Sequence, residues 1–311
     1  MLKKFPIDIE TLQGESGIEV YVLNKWKNAN FVTTLKHLPS NTITAKVLND
    51  GYSLFKNVAK GEDYLIEVQF SDPLKRLKYK SKKTKIKYSG PKNLRIIGTG
   101  SGRCGTSSFA KYLDGMRFAN RKLVRARHES MSGLILEKIR DKATEEIKHY
   151  LLSFQHNVEI SPYFSLIPEI LDVGDKVVLI IRDGRKVVAS GMARGWYSRA
   201  SIWDQIKPDF EGTTFEKCCH LWRHTNENVI NKADIVIKLE DLISNNLDEK
   251  FYKILGLSMV QKEFPKTNKS KNPPQYKWSK DEFSDFKRIC GHLMDQYYSG
   301  WENDSLIKIN S

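Results

Sequence analysis

The stretch LRIIGTGSGRCGTSSFAKYLDG, residues 94–115, runs from an apolar strand straight into a glycine-rich turn and then into a helical pattern. Strand, glycine loop and helix start together form a ready phosphate site. The glycines let backbone N–H groups converge, and the helix N-terminus adds its partial positive charge. Set against the nucleotide-binding pattern GxxxxGK[ST], the stretch supplies Gly100, four residues, Gly105, then Thr106 and Ser107. Thr106 stands where that pattern needs the lysine that reaches the β- and γ-phosphates of a triphosphate. An ordinary ATPase or kinase is thereby disfavoured. A cation sits two residues before the second glycine instead, at Arg103.

Downstream, KVVLIIRD and DIVIKLED read as two further buried strands. Between the three strands lie helix-like stretches: SSFAKYLDG, LILEKIRDKATEEIKHYLLSFQ, GRKVVASGMARG and TFEKCCHLWRHTNENVINK. Continuous apolar strands interleaved with helices predict an α/β unit with a parallel sheet covered on both faces. The second strand ends in Arg182, and Ser190 follows two turns into the next helix. An arginine at a strand's C-terminal edge and a hydroxyl on the following helix can reach one anion from two sides, in the crevice where open α/β sheets bind ligands.

Upstream, IEVYVL, TITAKVL and DYLIEVQF alternate with period 2 between Pro-Ser-Asn and Asp-Gly turns, which predicts a small all-β sandwich over residues 1–90 and the α/β unit over 91–311. Residues 1–92 hold 17 Lys+Arg against 9 Asp+Glu, a net of +8, and Lys75 to Lys87 carries eight basic residues and no acid. A solvated strand and linker is favoured there over a dedicated polyanion surface. The whole chain carries a formal +14, which implies an anionic partner without selecting one. Cys104, Cys218, Cys219 and Cys290 show no CxxC spacing, so free thiols in a reducing compartment are expected. The N-terminus shows no apolar signal segment, and no run approaches the roughly 18 apolar residues of a membrane helix. The expected location is the cytoplasm, or the cytoplasm of a host cell.

RCGTSS at 103–108 resembles the 5′-phosphosulfate loop of the PAPS-dependent sulfotransferase family, in its bacterial and phage-like branch. IIRDGRKVVAS is similar to that family's LVRDPxxVxxS pattern, with Gly184 in place of the common proline. The resemblance implies a donor, PAPS, bound at both ends, with PAP as the product and no metal. Gly102, Arg103, Cys104, Gly105, Thr106 and Ser107 would form the 5′ site. Within it Arg103 would take the place of the usual lysine at the bridging oxygen and sulfuryl group, a planar fork replacing a point charge. Arg182 and Ser190 would hold the 3′-phosphate. NKSKNPPQYKWSKDEFSDFKRICGHLMDQYYSGW resembles the family's basic closing loop and last helix, which makes Lys269, Lys271 and Asn268 further candidates. The segment VLNDGYSLFKNVAKGEDYLIEVQF resembles small transthyretin-like β-sandwiches, an architecture without a function of its own.

RARHES falls where similar bacterial sulfotransferases carry a Gly-His-Glu segment, so the resemblance makes His128 the leading general base, with Glu129 as the alternative base or the group that orients it. Glu159, Ser161 and Tyr163 would line the acceptor pocket. The stretch from Gly195 to Phe210, read as a loop, mixes aromatic rings with Arg199 and Lys207. The expected acceptor is a hydroxyl on a glycan or other small molecule. Nucleic acid is not the expected partner, and homodimerisation would accord with the family. His220 and His224 have the spacing of a zinc pair, but without a third ligand the core-helix reading wins. A kinase with a degenerate loop and a non-catalytic polyanion-binding protein are the alternatives.

Overall fold

The computed structural model describes residues 7–24, 30–48, 51–71, 80–90, 94–198, 201–260, 262–265 and 277–309. The chain divides into two units, Met1–Lys92 with His149–Gln155 and Asn93–Lys148 with His156–Ser311.

In the first unit, β1 (Ile7–Gly14) and β2 (Gly17–Asn24) form an antiparallel hairpin, and β2 pairs in turn with β5 (Tyr52–Phe55). A second antiparallel sheet contains β3 (Asn30–His37), β4 (Ile43–Leu48), β6 (Asp63–Ser71) and β7 (Lys80–Lys87) in the order β4-β3-β6-β7. Period-2 alternation sends Ile18, Val20 and Val22 of one sheet and Tyr64, Ile66 and Val68 of the other into one core. The lysine-rich β7 is an edge strand. Its Lys83 stands opposite Glu67 at 3.4 Å, while Lys85 and Lys87 are exposed. Among the described residues no strand pairs with the outer side of β7, and its charged side chains deter strand addition by other chains.

The second unit is built on five parallel strands: β8 (Ile96–Thr99), β9 (Ala126–His128), β10 (Val158–Ile160), β11 (Val177–Ile181) and β12 (Ile235–Lys238), in the order β12-β11-β8-β10-β9. Helices cover both faces. Ile180 packs into a cluster with Phe109 and Tyr112 of α1 (Thr106–Leu113) and Phe251 of α8 (Glu249–Leu255). Its neighbour Ile181 joins the opposite cluster, with Val187 of α4 (Gly184–Ala193), Trp222 of α6 (Thr214–Ile230) and Phe286 of α9 (Lys280–Tyr297). The connections diverge at β8, whose neighbours are β10 on one side and β11 on the other. This is the place at the C-terminal strand ends where such sheets open a crevice.

Two sequence expectations change. The sheet gains β9 and β10, three residues each and too short to show a period. The stretch 134–155 is not one helix but α2 (Ser132–Arg140) and α3 (Thr144–Ser153), separated by Lys142 at φ 55°. No glycine or proline marks that left-handed break.

Gly100 lies so close to β11 that an added Cβ would stand 2.2 Å from the Ile180 carbonyl oxygen. Backbone cannot rotate away as a side chain can. Gly100→Ala should therefore cost about 1–3 kcal/mol and lower the melting temperature by several degrees. Gly133→Ala, inside α2 with open space around the new methyl, should instead stabilise by up to about 1 kcal/mol. Thermal unfolding of the two variants checks the contrast.

Candidate functional site

A cavity of about 440 Å³ opens where the β8 loop, the end of β9 and the β11–α4 turn meet. Residues from six different chain segments line it, all within the second unit.

The phosphate loop reaches it with two left-handed residues, Arg103 at φ 73° and Gly105 at φ 91°. Gly105 is the N-cap of α1 and, having no side chain, makes no cap hydrogen bond to the first turn. Gly102, Arg103, Gly105, Thr106 and Ser107 all line the cavity. Cys104 departs from that pattern. Its thiol is fully buried beneath Gly100, and burial pushes its pKa up to about 12. Any contribution from this residue comes through its backbone.

Arg182 and Ser190 reach the same cavity. Arg182 Nη1 donates to the Arg103 carbonyl at 2.8 Å, and Arg103 Nε donates to Ser190 Oγ at 3.1 Å. The two anion-binding devices read separately from the sequence are thus hydrogen-bonded to one another. The Arg103 side chain rests at the Ser190 end of the cavity. Burial first, then the charges of Arg194 and Arg182, lower the Arg103 guanidinium from its ordinary pKa. Among the described residues, none of these three arginines has a carboxylate within ion-pair distance. Arg194 escaped the sequence reading, although its place four residues after Ser190 puts it on the same helix face.

His128 ends β9, and its Nε2 lies 3.0 Å from Thr106 Oγ1 and 3.6 Å from Glu129 Oε1. It is part-buried rather than a free loop residue. Burial lowers its pKa, against the opposing pull of Glu129 and Glu159. Glu129 also lines the cavity and is held at φ 55° just past the strand. Tyr163 lines it too. Burial, and then the charge and hydrogen bond of Glu129, raise the Tyr163 hydroxyl pKa.

The other two residues expected at the acceptor side lie elsewhere. Glu159 is fully buried and accepts from Ser130 N–H at 2.9 Å and Ser130 Oγ–H at 2.7 Å, with His156 Nε2 at 2.6 Å. It locks the turn behind His128 instead of facing the cavity. Ser161 is buried as a cap, accepting from Tyr163 N–H at 3.3 Å.

The stretch after Gly195, expected to be a loop, contains α5 (Ile202–Ile206). Trp196 and Trp203 line the cavity, and Trp203 lies 5.2 Å from the Tyr163 ring. Lys207 does not face the cavity. Its side chain is fully buried, ion-paired to Asp204 and set 4.3 Å from the Tyr197 ring centre and 5.4 Å from that of Trp196. A second, apolar wall is formed by Leu239 and Ile243 of α7 (Leu239–Ile243) with Phe264 and Pro265, positions without a motif. Lys269, Lys271, Asn268 and Arg199 lie outside the described residues. His220 and His224 bracket the Phe210 ring at 5.4 and 5.7 Å, and no cluster of three metal-ligating side chains occurs among the described residues.

No family model matches the chain, and no curated protein matches it. A solved sulfotransferase domain from the curacin biosynthetic pathway is 12% identical over 55% of this chain and 75% of that one, with a TM-score of 0.31. A β-glucuronidase from Parabacteroides merdae is 13% identical over 72% of this chain and 26% of its own, at a TM-score of 0.20. A β-glucuronidase from Ruminococcus gnavus is 9% identical over 75% and 52%, at 0.24. Likenesses this loose decide neither fold nor function, which rest on the chain's own geometry.

His128, His220 and His224 all have pKa values lowered from 6.5, each chiefly by burial. Below 6.5 the unfolded chain takes up protons that the folded protein refuses, so stability rises with pH through this window and is lost as pH falls. The melting temperature should drop between pH 7 and pH 5.5, with a smaller drop in His128→Gln. A His128 ring titrating above 6.5 by NMR would contradict the assignment.

Proposed function

We propose that the second unit is a sulfotransferase that takes its sulfuryl group from PAPS and passes it to an acceptor hydroxyl without a metal. The supporting observation is that a helix N-terminus capped by a glycine and the Arg182–Ser190 pair line one cavity whose guanidinium groups have no carboxylate partners among the described residues. A nucleotide with phosphate at both its 5′ and 3′ ends accounts for both devices, whereas ATP accounts only for the first. Thr106 in place of the triphosphate-reaching lysine points the same way.

In this reading Gly105, Thr106 and Ser107 hold the 5′-phosphate at the α1 N-terminus, and Arg182 with Ser190 holds the 3′-phosphate. The flat base lies against Leu239, Ile243, Phe264 and Pro265, leaving the Tyr163 and Trp203 side for a glycan or other small acceptor. His128 adjoins Thr106, so its imidazole stands beside the reacting end of the donor. Kept neutral by burial, it accepts the acceptor proton as the new O–S bond forms and the bond from sulfur to the phosphate oxygen breaks. Glu129 orients the ring or substitutes for it as base. Charge developing on the leaving phosphate oxygen is met by the α1 N–H groups and by Arg103, which swings from Ser190 to do so. The first unit serves as a transthyretin-like accessory module in the same reading.

Calorimetric titration tests the proposal. PAP should bind tightly without metal, and ATP weakly with or without magnesium. Arg182→Ala should weaken PAP by at least about tenfold, the scale of one lost charge-assisted hydrogen bond, and ATP far less. Equal losses would count against the 3′ assignment, and a folded protein that ignores PAP would overturn the reading. His128→Ala should retain PAP affinity while turnover falls about 10²–10⁴-fold.

A further inference from the structure

We infer that Arg194 is a second guanidinium of the second anion subsite, acting with Arg182 and Ser190 to make that subsite selective for a doubly charged phosphomonoester. This rests on the reading of the cavity as a site for a two-ended nucleotide.

Arg194 caps α4 with helical dihedrals, φ −93° and ψ −5°, so the spacing from Ser190 is one turn and the two side chains leave the same face. Helical side chains lean toward the N-terminus of their helix, which carries the Arg194 head back toward Ser190 and the strand end. The backbone there is fixed against the phosphate loop by Trp196. A Cβ built on Gly191 would lie 2.4 Å from the Trp196 ring, and one built on Gly102 would lie 3.0 Å from it. The end of α4 and the phosphate loop therefore grip the same indole.

The other cations of this strand and helix are all neutralised. Lys176 pairs with Asp234 at 2.7 Å, Lys186 with Glu240 at 3.5 Å, and buried Arg185 with both Asp183 and Asp304. Arg182 and Arg194, which line the cavity, have no carboxylate partner among the described residues. Arg194 lines the same cavity as Ser190 and as Arg103, whose Nε donates to Ser190 Oγ at 3.1 Å. Ser190 accepts from Arg103 and still has its own O–H to donate to an anion. The one carboxylate among the described lining residues, Glu129, is engaged with Tyr163.

A cation in the last turn of a helix also complements the helix dipole, and the experiment separates that role from anion binding. PAP and AMP, which differ in the 3′-phosphate, are titrated into the wild type, Arg194→Ala and Arg194→Lys, with thermal unfolding of each free protein. Arg194→Ala should lose at least about tenfold in PAP affinity and less than about threefold in AMP affinity, with Arg194→Lys between it and the wild type. Lower stability with unchanged PAP affinity overturns the inference in favour of the dipole role. Equal losses of PAP and AMP overturn it by moving Arg194 to the 5′ end. A wild type that binds no PAP overturns the sulfotransferase reading and this inference together.

Discussion

The approach of Gly100 to the Ile180 carbonyl governs the site. It brings the first turn of the β8 loop against β11 two residues before Arg182, closer than any side chain would permit. From there Arg182 reaches the Arg103 carbonyl, and Arg103 reaches Ser190. In the proposed reading, an anion at the α1 N-terminus and an anion at the β11 edge would be held at a separation set by backbone packing, so a ligand spanning them would spend less of its binding energy on ordering the protein.

Charge in the second unit is partitioned rather than spread. Arg185 illustrates the first half of the arrangement: it is almost fully buried, holds two carboxylates and the Trp301 carbonyl, and ties the chain near residue 301 to the start of α4. A buried ion pair contributes little net stability over an apolar substitute, yet losing one partner is costly, so such a cluster fixes geometry more than it adds stability. Arg103, Arg182 and Arg194 illustrate the other half. At Arg103 burial and the charges of Arg194 and Arg182 act together against the guanidinium's charge, and an anion bound there as proposed would relieve that repulsion.

Local chemistry made the centre of the site legible in the sequence. A glycine loop between an apolar strand and a helix needs no distant partner to be recognised, and Arg182 with Ser190 follows from one strand end and one helix start. The parts that stayed hidden depend on long-range packing. β9 and β10 are strands only because each finds a neighbour across the sheet. The break at Lys142 uses a left-handed residue that is not glycine. Glu159 sits in an apolar-flanked segment that the motif placed near the acceptor, but its burial with His156 and Ser130 makes it a support for the turn carrying His128. The apolar wall of Leu239, Ile243 and Phe264 is assembled from residues with no spacing in common.

Lys207 shows most clearly why composition alone misleads. In the sequence it stands among aromatic residues as a cation that could meet a ligand. In the fold it is sealed inside them, with Asp204 balancing its charge and the faces of Tyr197, Trp196 and Trp203 around it. A desolvated ammonium against aromatic faces gains about 2 kcal/mol or more from the rings, and its rigid surroundings hold those rings in place. Two of them, Trp196 and Trp203, are also the residues nearest a Cβ built on Gly102. The cation that does not touch the cavity thus sets the position of the aromatic wall that does, and that wall closes over the loop where the anionic end of a ligand would lie.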